Sequence, residues 1–229
     1  MTKWTKQEDA LLLKKRAEGI GYKELLQYFP SKTQDALRNR FYIINNNNWI
    51  DEERISYFDI ESTGLNADYD YMLSWVIRTE DRDFYDCINK EDLDSGIFDK
   101  RICESFVTTL EHLDVLVGYY SSRFDIPFIR TRCLINKVDF PAFGEKKQID
   151  LYYSVKFKMK LSRNSLEAAT RCLGIPGKNH VKGQEWMKAR LGDRESLKYV
   201  LKHNFKDVEI TEKLFYKLQK YCRFTKKSI

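Results

Sequence analysis

The chain has no arrangement of cysteines that could staple it. Its five, Cys87, Cys103, Cys133, Cys172 and Cys222, are odd in number and widely spaced, and no two form a Cys-x-x-Cys pair. That pattern argues against both a disulfide framework and a structural zinc site. Long apolar runs are missing too. The opening Met1-Thr2-Lys3-Trp4-Thr5-Lys6 offers no stretch suited to a signal peptide. No later segment approaches the ~18 uninterrupted apolar residues of a membrane span. A soluble protein of a reducing, intracellular compartment is expected: the cytoplasm, with the nucleus left open.

What is present is enough for a folded chain. Hydrophobic residues make up 42% and aromatics 14%, which excludes wholesale disorder. At 229 residues there is room for one domain of ordinary size and a small one. The net charge of +6 is unevenly spread. Residues 1–46 hold nine Lys/Arg against five Asp/Glu, and residues 47–229 hold 31 against 29. The first piece therefore suits contact with phosphate backbones, although a solvated surface explains so small an excess equally well.

That first piece reads as three short helices. Thr5-Lys6-Gln7-Glu8 is a capping box in front of a helix ending at Gly19 to Gly21. A second helix, Tyr22 to Tyr28, is stopped by Pro30, and Ser31-Lys32-Thr33-Gln34 repeats the capping pattern ahead of a third, through about Ile44. The run W-T-x-x-E-D-x-x-L with aromatic positions Trp4, Tyr22 and Phe41 (or Tyr42) resembles the Myb/SANT-like helix-turn-helix domains. That resemblance implies a third helix in a DNA groove, with Lys32, Gln34, Asp35, Arg38 and Asn39 at the contact. A protein-docking role of the SANT kind is the alternative. The domain is taken as residues 1–46 and a polar linker as 47–53.

Tyr57-Phe58-Asp59-Ile60-Glu61-Ser62-Thr63-Gly64-Leu65 dominates the remainder. Apolar residues from Ile55 to Ile60 read as a buried strand, and alternation puts the carboxylates of Asp59 and Glu61 on one face near its end. Two acids so close repel unless a cation lies between them, and oxygen-rich sites of this kind suit Mg²⁺ or Mn²⁺. Two more strands follow, Tyr69 to Thr79 and Arg82 to Ile88, completing an antiparallel meander. Residues 90–100 are acidic and polar and read as a loop. A helix from Lys100 to Leu113 precedes the buried strand Val115-Leu116-Val117-Gly118.

Next comes Gly118-Tyr119-Tyr120-Ser121-Ser122-Arg123-Phe124-Asp125-Ile126-Pro127-Phe128. Asp125 also reads as the cap of the helix that follows, and the two roles are compatible. Gln148-Ile149-Asp150 is a further short strand, with Asp150 read as structural. Ser165 opens a helix ending at Gly174, and Lys178 to Lys182 form a basic loop. The final helix, from Arg194 to about Cys222, sets His203 and Asp207 one turn apart on a single face.

The D-x-E string, the F-D string and the helical aspartate resemble, in that order, the three motifs of the DEDD-type 3′–5′ exonucleases of the ribonuclease H-like superfamily. The resemblance spans residues 54–222 and implies an α/β fold: a mixed sheet flanked by helices, here preceded by the small three-helix domain, with the nuclease domain at 54–229. It implies that Asp59, Glu61, Asp125 and Asp207 hold two Mg²⁺ or Mn²⁺ ions, with His203 as general base. Nucleic acid would be the partner, DNA favoured and RNA possible. Relatives carry Tyr-x3-Asp or His-x4-Asp, whereas this chain has His-x3-Asp. That departure leaves the subclass and the base open while keeping the fourth acid. A binding or regulatory protein on a catalytically degenerate nuclease fold is the alternative reading.

Overall fold

The computed structural model describes residues 4–41, 44, 54–177, 182–222 and 229. The chain divides into two compact units, Met1–Glu53 and Arg54–Ile229. The linker expected at 47–53 lies outside the described residues, as do Tyr42 and residues 178–181 of the basic loop.

In the first unit α1 (Lys6–Ala17) is closed by the expected capping box. Thr5 Oγ1 accepts from the Glu8 amide at 3.1 Å, and Glu8 Oε2 accepts from the Thr5 amide at 2.8 Å. The second segment is a 3₁₀ turn, Glu24–Gln27, instead of an α-helix. The third, α2 (residues 34–41), begins later than expected, because Thr33 Oγ1 and not Ser31 takes up a free amide, that of Ala36. Leu12, Leu25, Phe29, Leu37 and Ile44 form the buried core, with Trp4 beside Phe29 and Tyr22 edge-on to Phe41.

The second unit is built on a five-stranded sheet of order β3-β2-β1-β4-β5. Its strands are β1 (Ile55–Ser62), β2 (Met72–Arg78), β3 (Asp83–Cys87), β4 (Val115–Gly118) and β5 (Lys147–Asp150). The first three form the antiparallel meander, while β4 and β5 run parallel to β1. Alternation along β1 divides its side chains. Phe58 packs toward Phe106 on one face, and Tyr57 meets Phe215 on the other. By the same period Asp59 and Glu61 share the face of Tyr57.

Among the described residues seven helices accompany this sheet: α3 (Lys90–Asp94), α4 (Lys100–Leu110), α5 (Asp125–Asn136), α6 (Leu151–Lys158), α7 (Leu166–Cys172), α8 (Gly183–Ala189) and α9 (Arg194–Leu218). The stretch expected as an acidic loop contains α3. Asn89 Oδ1 accepts from the Asp92 amide at 2.8 Å, Asp92 Oδ2 accepts from the Asn89 amide at 3.0 Å, and acids in a first turn complement the helix dipole. Helices α6 and α8 carried no expectation. Between α4 and α5 the fully buried Asp99 is held by a two-pronged bond from Arg132, both arms 2.8 Å, and by the Met72 amide at 2.9 Å. Among the described residues no helix is long and apolar enough to cross a membrane.

Candidate active site

A cleft of about 350 Å³ opens where the end of β1, the turn after β4 and the middle of α9 meet. Asp59, Glu61, Asp125, His203 and Asp207 all line it. The sequence placed these five on three separate elements, and the fold collects them at one point.

Each element has a reason to hold its residue there. β1 delivers Asp59 and Glu61, half-buried, on the face turned to α9. A register shift between Glu61 and Ser62 ends the regular ladder with β2 at that point. Asp125 does not cap α5. Its Oδ1 accepts the Ile60 amide at 3.2 Å, so the second motif is clamped onto the first through the backbone. On α9, Val200, His203, Asn204, Asp207, Val208 and Thr211 follow the helical period of a buried face. His203 Nδ1 lies 3.0 Å from Glu61 Oε1 and 3.9 Å from Asp207 Oδ2.

Burial sets the electrostatics. Asp125 is only 4% exposed, and desolvation pushes its carboxyl up to about 7, with the Glu61 charge adding to the effect and the Ile60 amide opposing it. An acid cluster of this kind is held against its own repulsion. Burial also pushes the Tyr119 hydroxyl up, and it donates to the Asn164 carbonyl at 2.6 Å.

Could these residues hold a metal? Ligand atoms of Glu61, His203 and Asp207 lie within 4.8 Å of one another, and Asp59 and Asp125 share their cleft. Carboxylate oxygens with one imidazole form a donor set that fits Mg²⁺ or Mn²⁺. The residues fit the ions.

Four residues that shape the cleft were not singled out from sequence. Asn204 is fully buried beside the two acids of β1. With its amide oriented as the surrounding groups require, it donates to the Asp59 carbonyl at 3.1 Å and accepts from the Glu61 amide at 3.3 Å and Ser74 Oγ at 3.2 Å. It thereby bolts α9 to β1 between the two carboxylates. Trp186 on α8 donates from Nε1 to the Ser62 carbonyl at 3.0 Å and stands edge-on to His203. Tyr119 and Tyr120 line the opposite wall. A buried polar residue inside a motif was the one available signal for Asn204; nothing in the sequence tied α8 to β1. Asp150, read as structural, caps α6 through the Tyr152 amide at 3.0 Å. It also accepts from the amides of Tyr120, at 2.8 Å, and Ser122, at 3.0 Å, fixing the turn that carries the tyrosines.

In the first unit Gln34, Asp35, Arg38 and Asn39 are exposed on α2. Lys32 is not. Its ammonium sits 3.1 Å from Glu8 Oε1 and 4.5 Å from the Trp4 ring centre, buried against the core. It acts there as a packing and pairing residue, because its stem and its charge both find partners inside.

The sequence profile of the RNase H superfamily matches residues 56–219. No curated protein matches the sequence. Among solved structures, the family B DNA polymerase from the hyperthermophilic archaeon Pyrobaculum calidifontis has a similar fold. The TM-score is 0.60 and the identity 21%, over 73% of this chain and 24% of the polymerase. This chain thus spans about a quarter of that protein's length, and at this identity the likeness is one of fold.

Proposed function

The chain belongs to the RNase H superfamily, and from that premise we propose that it is a metal-dependent 3′–5′ exonuclease of the DEDD type. Its substrate is a nucleic acid with a 3′ end, DNA favoured and RNA possible, and its first unit, a Myb-like domain in residues 1–46, contacts nucleic acid. The observation that carries the reading is the gathering of Asp59, Glu61, Asp125, His203 and Asp207 around one cleft, three of them with ligand atoms within 4.8 Å. A fold shared with part of a DNA polymerase supports nucleic acid as the substrate class.

Asp59, Glu61, Asp125 and Asp207 would hold two Mg²⁺ or Mn²⁺ ions. When bound, such ions polarise the phosphoryl group, acidify a water and stabilise the departing oxygen. The protein's own part is positioning and proton handling. Ionised Glu61 is an acceptor only, so the Nδ1 that faces it carries the proton of a neutral His203. The ring's basic atom is then Nε2, and a general base could take a proton there. Glu61 therefore both serves the ion site and sets the tautomer of the base. Trp186, edge-on to the ring, limits its rotation.

The test is degradation of 3′-labelled single strands with Mg²⁺ or Mn²⁺. Asp59→Asn should abolish cleavage and leave strand binding in place. A variant that cuts at close to the wild-type rate removes Asp59 from the site, and a wild-type protein that binds but never cuts returns the chain to the degenerate reading.

A further inference from the structure

The positive charge of the second unit gathers at one end of its chain. Residues 54–181 hold 18 Lys/Arg against 20 Asp/Glu, a net of −2, whereas residues 182–206 hold seven against three, a net of +4. That change of sign falls on α8 and the first half of α9. We propose that the exposed flank of α9 is a docking surface for the phosphate backbone of a nucleic-acid duplex, separate from the cleft that would do the cutting. The proposal rests on the nucleic-acid reading above and extends it, since it names a paired partner and the residues that would hold it.

Three observations carry it. The first is spacing. Arg194, Lys198, Lys202 and Lys206 stand four residues apart, so they follow one ridge of the helix at about 6 Å per step and cover about 18 Å. Arg194, Lys198 and Lys202 are exposed and Lys206 is half-buried, whereas His203 and Asp207 belong to the buried face of the same helix. None of the four cations lines the catalytic cleft. The second is availability. Arg194 and Lys202 form no ion pair among the described residues. Lys198 is paired at 2.7 Å with Glu195, the one carboxylate between residues 194 and 206, and both side chains are more than half exposed. Exposed pairs of this kind contribute about 1 kcal/mol or less, so a phosphate can take the place of Glu195. Lys206 is paired with Glu209 at 3.1 Å. Lys182, exposed at the N-cap of α8, joins the same flank, because its amide donates to the Tyr199 hydroxyl at 3.3 Å. The third is what lies between the charges. Tyr199 and Phe205 are half-buried, and Phe205 meets Tyr85 edge-on. A strand with free bases needs ring faces to stack on, whereas a duplex keeps its bases inside and turns its phosphates outward. Spaced charge on a rigid helix, with the rings between the charges half-buried, fits the duplex.

The test uses the full chain in EDTA, where hydrolysis is off. A fluorescein-labelled blunt DNA duplex of about 16 base pairs, a single strand of the same length and an acidic polyglutamate peptide are titrated by anisotropy over a range of salt. The triple variant R194Q/K198Q/K202Q changes exposed side chains alone, and none of the three belongs to the catalytic site. At about 0.9 per phosphate contact, three lost contacts should lower the slope of log K against log salt by about 2–3 for the duplex and weaken its binding about 10- to 100-fold. The single strand should lose about 3-fold or less. On the wild-type chain, bound duplex should also shield Lys198 and Lys202 from acetylation by an N-hydroxysuccinimide ester, as read by mass spectrometry. Duplex binding unchanged in the variant, equal losses for strand and duplex, or acetylation of the two lysines undiminished by duplex would each overturn the surface. Polyglutamate binding more tightly than duplex, and lost in the same variant, would assign the flank to an acidic protein and overturn it too. Cleavage of a short 3′-labelled strand with Mn²⁺ is scored separately. A duplex held on the ridge by a protein that never cuts would sink the nuclease reading and leave the surface standing, whereas cutting alongside unaltered duplex affinity in the variant would do the reverse.

Discussion

Replacing Asp125 with asparagine should stabilise the metal-free protein and blunt its response to divalent ions. Asp125 lies under the cleft floor, 4% exposed, and its carboxyl is driven from an ordinary 3.8 up to about 7. At about 1.4 kcal/mol per tenfold step, that displacement corresponds to roughly 4 kcal/mol of ionisation penalty carried by the folded state. Asparagine keeps a carbonyl oxygen for the Ile60 amide but brings an NH₂ that needs an acceptor, which returns on the order of 1–2 kcal/mol. A net gain of about 2 kcal/mol remains, or about 4–8 °C in the melting temperature of a unit this size. The sign follows from the direction of the displacement. The folded state holds the proton more tightly than the unfolded chain, so wild-type stability falls as pH rises from about 4 through about 7 and is level above. The variant should therefore be about 1–2 kcal/mol less stable than wild type at pH 4, hold nearly its full advantage at pH 8, and show that advantage only in EDTA. Mn²⁺ at a hundred times its dissociation constant would stabilise wild type by about 2.7 kcal/mol, and the variant much less. Thermal melts at pH 4, 6 and 8, with EDTA and with Mn²⁺, decide it. A variant no more stable than wild type at pH 8 in EDTA means Asp125 is not a strained anion. Equal stabilisation of both proteins by Mn²⁺ means it is not a ligand.

The other predictions concern the parts that aim and support the site. Asn204→Ala removes the partners of the Asp59 carbonyl and the Glu61 amide; it should cost about 2–3 kcal/mol and lower the cleavage rate more than it lowers strand binding, as denaturant melts and single-turnover assays would show. His203→Ala should slow cleavage by about 10²–10⁴-fold; an unchanged rate would make the ring a structural neighbour of Glu61. Arg132→Met leaves Asp99 buried and unpaired and should cost about 3–5 kcal/mol in urea unfolding, with Asp99→Asn on top of it recovering part of the loss. On α2, Arg38→Gln should reduce the salt dependence of nucleic-acid binding while Lys32→Gln should instead lower stability, because only the former is exposed; binding untouched by Arg38→Gln would favour protein docking for that unit.

How much of this was legible in the chain depended on whether the signal was local. The period-2 pattern around Asp59 and Glu61, the period-3.6 pattern around His203 and Asp207, and the capping box at Thr5 are each written within a few residues, and each appears in the structure as read. The misreadings share a different cause. Residues 90–100 looked like a loop because acids were counted as solubility, whereas Asn89 and Asp92 cap a helix whose charge Arg101 neutralises from α4 at 2.7 Å. Lys32 looked like a phosphate contact because a lysine beside a helix start is normally exposed. Its burial depends on Glu8 and Trp4, some two dozen residues away. Trp186 and Asn204 escaped for the same reason, since their partners, the Ser62 carbonyl and the backbone between Asp59 and Glu61, lie over a hundred residues distant.

That division bears on the chemistry. Residues that could hold the ions announce themselves by type and spacing, but the groups that aim them are ordinary polar and aromatic side chains bonded to backbone. Glu61 has its amide fixed by Asn204, its carboxylate facing His203, and the following carbonyl held by Trp186. Asp125 has one oxygen committed to the Ile60 amide. With the backbone under Asp59 and Glu61 fixed, and the Asp125 and Glu61 carboxylates each facing a partner, the acids have little room to move apart. The strain should therefore appear as lost stability in the metal-free protein and as affinity when the ions bind. If Asn204→Ala leaves both the EDTA melting temperature and the Mn²⁺-induced rise unchanged, the acids are not held apart by their supports, and the site must assemble only around its ions.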